Sequence, residues 1–176
     1  MDAAEAIYLD YIEPIKDRMK VCIYRIVKDP DDAADAFQNA LFKIWNYLDR
    51  IMNHPNPQAY ILSICVSSAH DLLRTRSRQS GHEMPLIPEI AADAPSPFRP
   101  GYSNEIIAIV QHAIASMSLK QAQAVFLRLF ENESYSVISD ALGCTEETAR
   151  SHVSKGLANL RSILLKRNIS MREAYS

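Results

Sequence analysis

Glycine is scarce in this chain, with four in 176 residues. A sequence so poor in glycine lacks the turn chemistry that a sandwich or barrel of short strands needs, while apolar residues at helical spacing run through most of its length. Together these point to an all-α fold. Cysteine is sparser still. Cys22, Cys65 and Cys144 stand far apart, with no Cys-x-x-Cys pair and no Cys/His spacing of the kind zinc requires. Cys22 and Cys65 lie in apolar helical runs and are expected as small core side chains. No apolar run reaches membrane-spanning length. The acidic start, Met1-Asp2-Ala3-Ala4-Glu5, is unlike a secretory signal, so a cytoplasmic location without membrane insertion is the expectation. There is no P-loop, no HExxH and no nucleophile elbow. His54, His70, His82, His112 and His152 are scattered, and the adjacent His70 and Asp71 would point about 100° apart on a helix. No catalytic activity, metal or cofactor is expected.

An excess of charge of one sign is also missing. The net charge is −2 and the pI about 6.2. Proteins that coat nucleic acid without selectivity are usually basic overall. The basic residues are instead local. After Glu147 come Arg150, Lys155, Arg161, Lys166, Arg167 and Arg172 against Glu173 alone, and Arg74, Arg76 and Arg78 close the first half. Two basic spots on a mildly acidic body suit localised phosphate contact, although either cluster alone reads equally well as a solvated helix face.

With 48% apolar residues the chain can bury a core, and its length fits one medium domain or two small ones. Ile7, Tyr11, Ile15, Met19, Cys22, Ile23 and Ile26 recur at helical spacing from about 3 to 27, with Pro14 set to kink or divide the run. Asp29-Pro30 reads as an N-cap and first helical residue, and Asp31, Asp32 and Asp35 suit the positive end of the helix dipole. That helix is predicted to reach about Leu48, with Ala33, Phe37, Ala40, Leu41, Ile44 and Leu48 inward. Asn53-His54-Pro55-Asn56-Pro57 is a loop in which Asn56 can cap the next helix. The following run, roughly 57–77, is apolar nearly all round until Val66 and is therefore central, turning polar at His70 and Asp71. Residues 79–104 hold five of the nine prolines and read as an extended linker, or as a surface loop packed on one domain. The resulting division is 1–78, linker 79–104 and 105–176.

Beyond the linker Ile106, Ile107, Val110 and Ile114 form one stripe. Ser118 can cap a helix carrying Ala122, Val125, Phe126 and Leu129, and Ser134 one with Val137, Ile138, Ala141 and Leu142 inward. Gly143 stands where a helix must stop in the left-handed conformation. Thr145 can cap a last helix to about Lys166, with Thr148 in the position a capping box gives to Glu or Gln. A helix, a tight turn at Gly143-Cys144-Thr145 and a second helix form a helix-turn-helix pattern. In the second helix Ala149, Val153, Gly156, Leu157, Leu160 and Leu164 share one side. Thr148, Ser151, His152 and Lys155 lie opposite, where they can meet base edges and phosphates, with Arg150 and Ser154 on the flanks.

The chain resembles small sigma factors of the sigma-70 family, of the extracytoplasmic-function type, over about residues 5–166. Asp32-Ala33-Ala34-Asp35-Ala36-Phe37-Gln38 is similar to the family's polymerase-binding signature. Tyr60-Ile61-Leu62-Ser63-Ile64 through His70-Asp71-Leu72-Leu73-Arg74 is similar to the helix that opens the −10 element. Tyr135 through Gly143 and Thr148 through His152 are similar to the region that reads the −35 element. The resemblance implies two helical units, region 2 and region 4. Asp32, Asp35, Gln38, Asn39 and Phe42 would meet the β′ clamp helices of core RNA polymerase. The loop with Asn53 and His54 would hold an unstacked −10 base, Tyr60 would act as wedge or stacking platform, Ser67 would face the strand, and Arg74, Arg76 and Arg78 would follow phosphates. Thr148, Arg150, Ser151, His152, Ser154 and Lys155 would carry −35 recognition. Implied partners are core polymerase (β′ clamp helices and β flap), promoter DNA and an anti-sigma protein, with the protein at the nucleoid when active. Where the family usually has Trp at Tyr60, basic residues at Ser63 and Val66, and Asn at Ser67, this chain has less stacking area and less positive charge. That leaves open a sigma-like regulator that does not direct initiation. An adaptor that binds proteins through both units is a third reading.

Overall fold

The computed structural model describes residues 3–79 and 104–166, and the regular structure of these residues is helical throughout. Of the expected linker 79–104, Gln79 and Asn104 belong to helices and the rest lies outside the described residues, as do the basic residues Arg167 and Arg172. Helix α1 (Ala3–Ile7) passes into a π turn (Tyr8–Ile12), a 3-10 turn (Glu13–Ile15) and then α2 (Lys16–Val27). Pro14 has no N–H to donate and its ring crowds the carbonyl four residues back, so the α ladder loosens before it and tightens around it. Lys28 closes α2 in the left-handed conformation with φ 60°.

Helix α3 (Pro30–Asn46) starts as expected, with the Asp29 carboxylate accepting the Asp32 N–H at 3.0 Å. It stops two residues short of Leu48, because Tyr47 leaves the helical conformation and a short α4 (Leu48–Met52) follows. Ala36 joins Ala40 and Ile44 on its buried face, while Ala33, Phe37 and Leu41 are half-buried. The side chain of Asn56 is turned to another partner (below), although its carbonyl accepts the Tyr60 N–H of helix α5 (Pro57–Gln79). Every residue of α5 from Ala59 to Val66 is buried. Its burial has two sources: α2 and α3 pack on one side of it, and helices from the second half on the other.

Those helices are α6 (Asn104–Ser116), α7 (Leu119–Leu129), α8 (Tyr135–Leu142) and α9 (Glu146–Lys166). Ser118 and Ser134 accept the N–H groups of Gln121 and Val137 as N-caps. Gly143 ends α8 at φ 64°. Thr145 takes the Thr148 N–H at 3.2 Å, and the two hydroxyls meet at 2.9 Å, so a threonine pair completes the capping frame. Val137, expected inward, is only half-buried, in a cleft with Pro55, Asn56, Pro57 and Glu133.

One apolar core runs through both halves, from Met19 and Ile23 through Ile61 and Leu62 to Leu127, Ile138 and Leu164. Cys22 and Cys65 lie inside it, and burial pushes both thiols up. In α9, Gly156 faces α7 so closely that a Cβ there would sit 2.5 Å from Val125 Cγ2. Alanine favours a helix interior by roughly 0.5–1 kcal/mol, but overpacking costs about 1–3 kcal/mol. Gly156→Ala should therefore lower the urea-unfolding free energy by about 1 kcal/mol.

His70, read from sequence as the start of a polar face, is 1% exposed. Its Nε2 donates to the Met117 carbonyl at 3.0 Å, which carries it into the second half. Burial holds its pKa below the usual histidine value and Arg74 adds to this, against the carbonyls of Met117 and Ile114 and the Asp71 carboxylate. A histidine with a depressed folded pKa gives stability that is present above about pH 6.5 and lost as pH falls through the folded value. Thermal midpoints measured from pH 7.5 down to 5.5 should fall more steeply for the wild type than for His70→Gln.

Candidate protein and nucleic-acid interfaces

Asp35, Gln38, Asn39 and Phe42 are exposed along one stripe of α3, opposite the buried Ala36, Ala40 and Ile44. Phe42 is 69% exposed and Trp45, one turn on, 53%. Two aromatics this bare beside a carboxylate and two amides make a surface suited to another macromolecule. Trp45 was missed as a site residue, although a helical projection of α3 puts it with Phe42 and away from the core. Asp32 does not share the stripe's freedom. It is half-buried and ion-paired with Arg76 of α5, so two residues expected at different surfaces meet each other.

The loop before α5 is assembled by His54. Its Nδ1 accepts the Asn56 N–H at 3.0 Å and its Nε2 donates to the Asp140 carbonyl at 2.9 Å, so the ring carries its proton on Nε2. The ring stacks on Tyr60, centroids 4.7 Å apart and planes within 9°, while the Arg50 guanidinium lies 5.5 Å from the Tyr60 centroid. Tyr60 is 9% exposed. The side-chain amide of Asn56 donates to the Asp140 carboxylate at 2.7 Å. Asn53 is exposed and its amide folds back onto the Asp49 carbonyl. Ser67 is half-buried and accepts Lys43 Nζ at 3.0 Å, which also pairs with Asp71 at 2.7 Å. His70 and Asp71 thus point to different partners. Arg74 and Arg78 are exposed on the last turns of α5. The structure brings His54 and Tyr60 together and leaves the arginines apart from them.

On α9, Thr148, Arg150, Ser154 and Lys155 are exposed and Ser151 and His152 half-buried; Ser151 lies opposite the packed Ala149 and Val153, and His152 sits one turn before Gly156 at the edge of the packed face. Arg150 is held against its own domain: its guanidinium lies 4.3 Å from the Tyr135 ring centroid, with Arg128 at 4.8 Å, and it reaches Glu146 at 3.4 Å. Lys120, on α7, was not anticipated from sequence. Its Nζ donates to the Leu142 carbonyl at the end of α8. Together with Lys155, and behind the larger effect of partial burial, it lowers the pKa of His152. A neutral imidazole can donate or accept at a base edge while lysines near it meet phosphate. Nothing in a linear sequence places Lys120 beside His152.

Among the described residues no group of three His, Cys, Asp or Glu side chains could hold a metal, and no helix is long and apolar enough to cross a membrane. The geometry defines a helix-turn-helix protein with a second, aromatic-bearing surface on α3. The family model for sigma-70 region 2 matches residues 12–79 and that for sigma-70 region 4 matches residues 107–160. The chain belongs to the sigma-70 family, in the two-region layout of its extracytoplasmic-function type. The RNA polymerase sigma-E factor of Streptomyces avermitilis is 26% identical over 165 residues, covering 93% of this chain and 88% of that protein. The sigma-E factor of Streptomyces coelicolor is also 26% identical, over 93% and 89%. Among solved structures, the sigma factor RpoE in its co-crystal with the anti-sigma factor NepR from Bartonella quintana shares the fold. The TM-score is 0.55 at 20% identity, over 89% of this chain and 96% of that one.

Proposed function

We propose that this protein is a promoter-specificity subunit that binds core RNA polymerase, reads a −35 element with α9 and opens a −10 element with α5 and the loop before it. The observation that carries this reading is the exposed stripe Asp35–Gln38–Asn39–Phe42 of α3, in a chain whose second half ends in a helix-turn-helix. A DNA-binding protein acting alone has no use for two bare aromatics beside a carboxylate on the opposite half. A subunit that must dock on the polymerase β′ clamp helices does. On this reading Asp35, Gln38 and Asn39 hydrogen-bond to basic and polar partners and Phe42 supplies apolar area, with Trp45 extending it. Asp32 acts indirectly, by holding Arg76. The second half docks on the β flap and sets Ser151, His152 and Lys155 in the major groove, with Thr148 and Ser154 at its edges and Arg150 released from Tyr135 to a phosphate. Asn53, His54 and Tyr60 receive an unpaired base, and Arg74 and Arg78 follow the backbone. An anti-sigma protein is a further proposed partner, as RpoE has NepR in the co-crystal. The direct test is to incubate the tagged chain with purified bacterial core polymerase and recover the complex. Stoichiometric recovery supports the reading, and failure to recover polymerase at micromolar concentrations contradicts it.

A further inference from the structure

Helix α9 opens with two acids, and the structure engages one of them. Glu146 pairs with Arg150 at 3.4 Å, and Arg150 in turn lies on the Tyr135 ring. Glu147 is exposed and has no hydrogen-bond or ion-pair partner among the described residues. An acid in a first turn suits the helix dipole, but Glu146 already meets that need. The place of Glu147 on the helix says more. By 3.6-residue geometry Glu147, Ser151 and Lys155 follow one another in four-residue steps, and their stripe lies opposite the buried Ala149, Val153 and Leu160. The stripe faces out of the domain. Glu147 stands at its N-terminal end, which is the end of a recognition helix that meets base edges. The Thr145 cap, which takes the Thr148 N–H at 3.2 Å, fixes the turn that carries it.

An unpaired carboxylate on this face has a consequence for binding. Phosphates repel it, so it weakens the approach to any duplex unless it meets a donor. In the major groove the donors on base edges are the exocyclic amines of cytosine and adenine. Adenine sets its amine beside N7, an acceptor that repels a carboxylate and suits a side-chain amide. Cytosine presents its N4 amine with no acceptor beside it on the same base. The other groups on the face are less selective: the hydroxyls of Thr148 and Ser151 serve either kind of edge, and the Lys155 ammonium goes to phosphate. We infer that Glu147 is a specificity-determining residue: its carboxylate accepts from the N4 amine of a cytosine in the major groove, so the −35 element of this protein carries a cytosine at the position Glu147 reaches. This rests on the reading of α9 as the DNA-reading helix. The same carboxylate acts against wrong sites, because at any other base it stays unpaired beside phosphates and base oxygens.

The test is selection from a duplex pool with a randomised window. The tagged full-length chain is recovered with and without core polymerase in the mixture, polymerase alone serves as the blank, and the retained DNA is sequenced. The wild type should enrich one motif with a fixed cytosine. Glu147→Gln should change the preference at that position from cytosine to adenine, because an amide can bond both N6 and N7 of adenine. Glu147→Ala should accept every base there, losing roughly tenfold discrimination, with the rest of the motif unchanged. On duplex without the motif the alanine variant should bind at least as tightly as the wild type, since a charge that repels phosphate is gone. A purely structural role for Glu147 would instead weaken binding to both duplexes and move no base preference. An identical motif from the wild type and both variants, each with wild-type helix content, would overturn the assignment and leave the DNA-reading role of α9 standing. A shift confined to a position where the wild type prefers a base other than cytosine would overturn it too. Enrichment of no motif by the wild type in either mixture would sink the reading of α9 itself, and the role of Glu147 with it.

Discussion

Asp35→Arg combined with Gln38→Ala should abolish recovery of core polymerase, weakening binding at least roughly 100-fold, or about 3 kcal/mol. Both residues are exposed on α3, one turn apart, and touch none of the buried Ala36, Ala40 or Ile44. The variant should therefore keep its thermal midpoint, which separates loss of a surface from loss of the fold. The size of the effect comes from the reversal. Removing Asp35 forfeits one charged contact, whereas placing a guanidinium against a basic partner adds repulsion of several kcal/mol. Phe42→Ala should cost less, because it removes apolar area without adding an unfavourable contact. Asp32→Ala should behave differently again, lowering the thermal midpoint by removing the ion pair with Arg76, since that carboxylate is engaged inside the molecule.

Replacing Ser151, His152 and Lys155 together by alanine should remove specific DNA binding while sparing polymerase binding. Each well-placed base contact discriminates by about 1–3 kcal/mol, so losing the group should cost roughly 100- to 1000-fold in affinity for a cognate site. Lys155 has its own signature: as a phosphate contact, its loss should reduce the slope of log affinity against log salt by about one. Alanine favours helices, and none of the three side chains is among the buried residues of α9, so the helix should persist. Retention of sequence-specific binding in a folded triple variant would assign α9 another role and favour a protein-binding adaptor.

The helices were legible in the sequence wherever a local rule sufficed. Asp29, Ser118, Ser134, Gly143 and Thr145 cap or stop helices as their chemistry predicts, because capping involves only the next few residues. Pro14 was expected to interrupt the first helical run, and it does so through successive π and 3-10 turns. The end of α3 was misplaced because Leu48 continues the apolar period into α4, and periodicity carries no record of the break at Tyr47. The exposed stripes of α3 and α9 follow from the same geometry, read on the side away from the apolar residues. What could not be read was everything decided between distant segments. His70 looks like the start of a polar face because its partner, the Met117 carbonyl, is 47 residues away. The Asp32–Arg76 pair, the Lys43–Ser67 contact and the approach of Lys120 to His152 depend on helix packing that no single segment encodes.

The most direct test of the central claim is start-site mapping. Fragmented genomic DNA from the source organism would be transcribed by core polymerase with and without the purified chain, and the 5′ ends of the RNA sequenced. The prediction is a small set of starts that depend on the chain and share one −35 and one −10 sequence upstream, absent when the Ser151, His152 and Lys155 variant is supplied. Starts that are identical with and without the chain, in reactions where the chain is bound to polymerase, would contradict it.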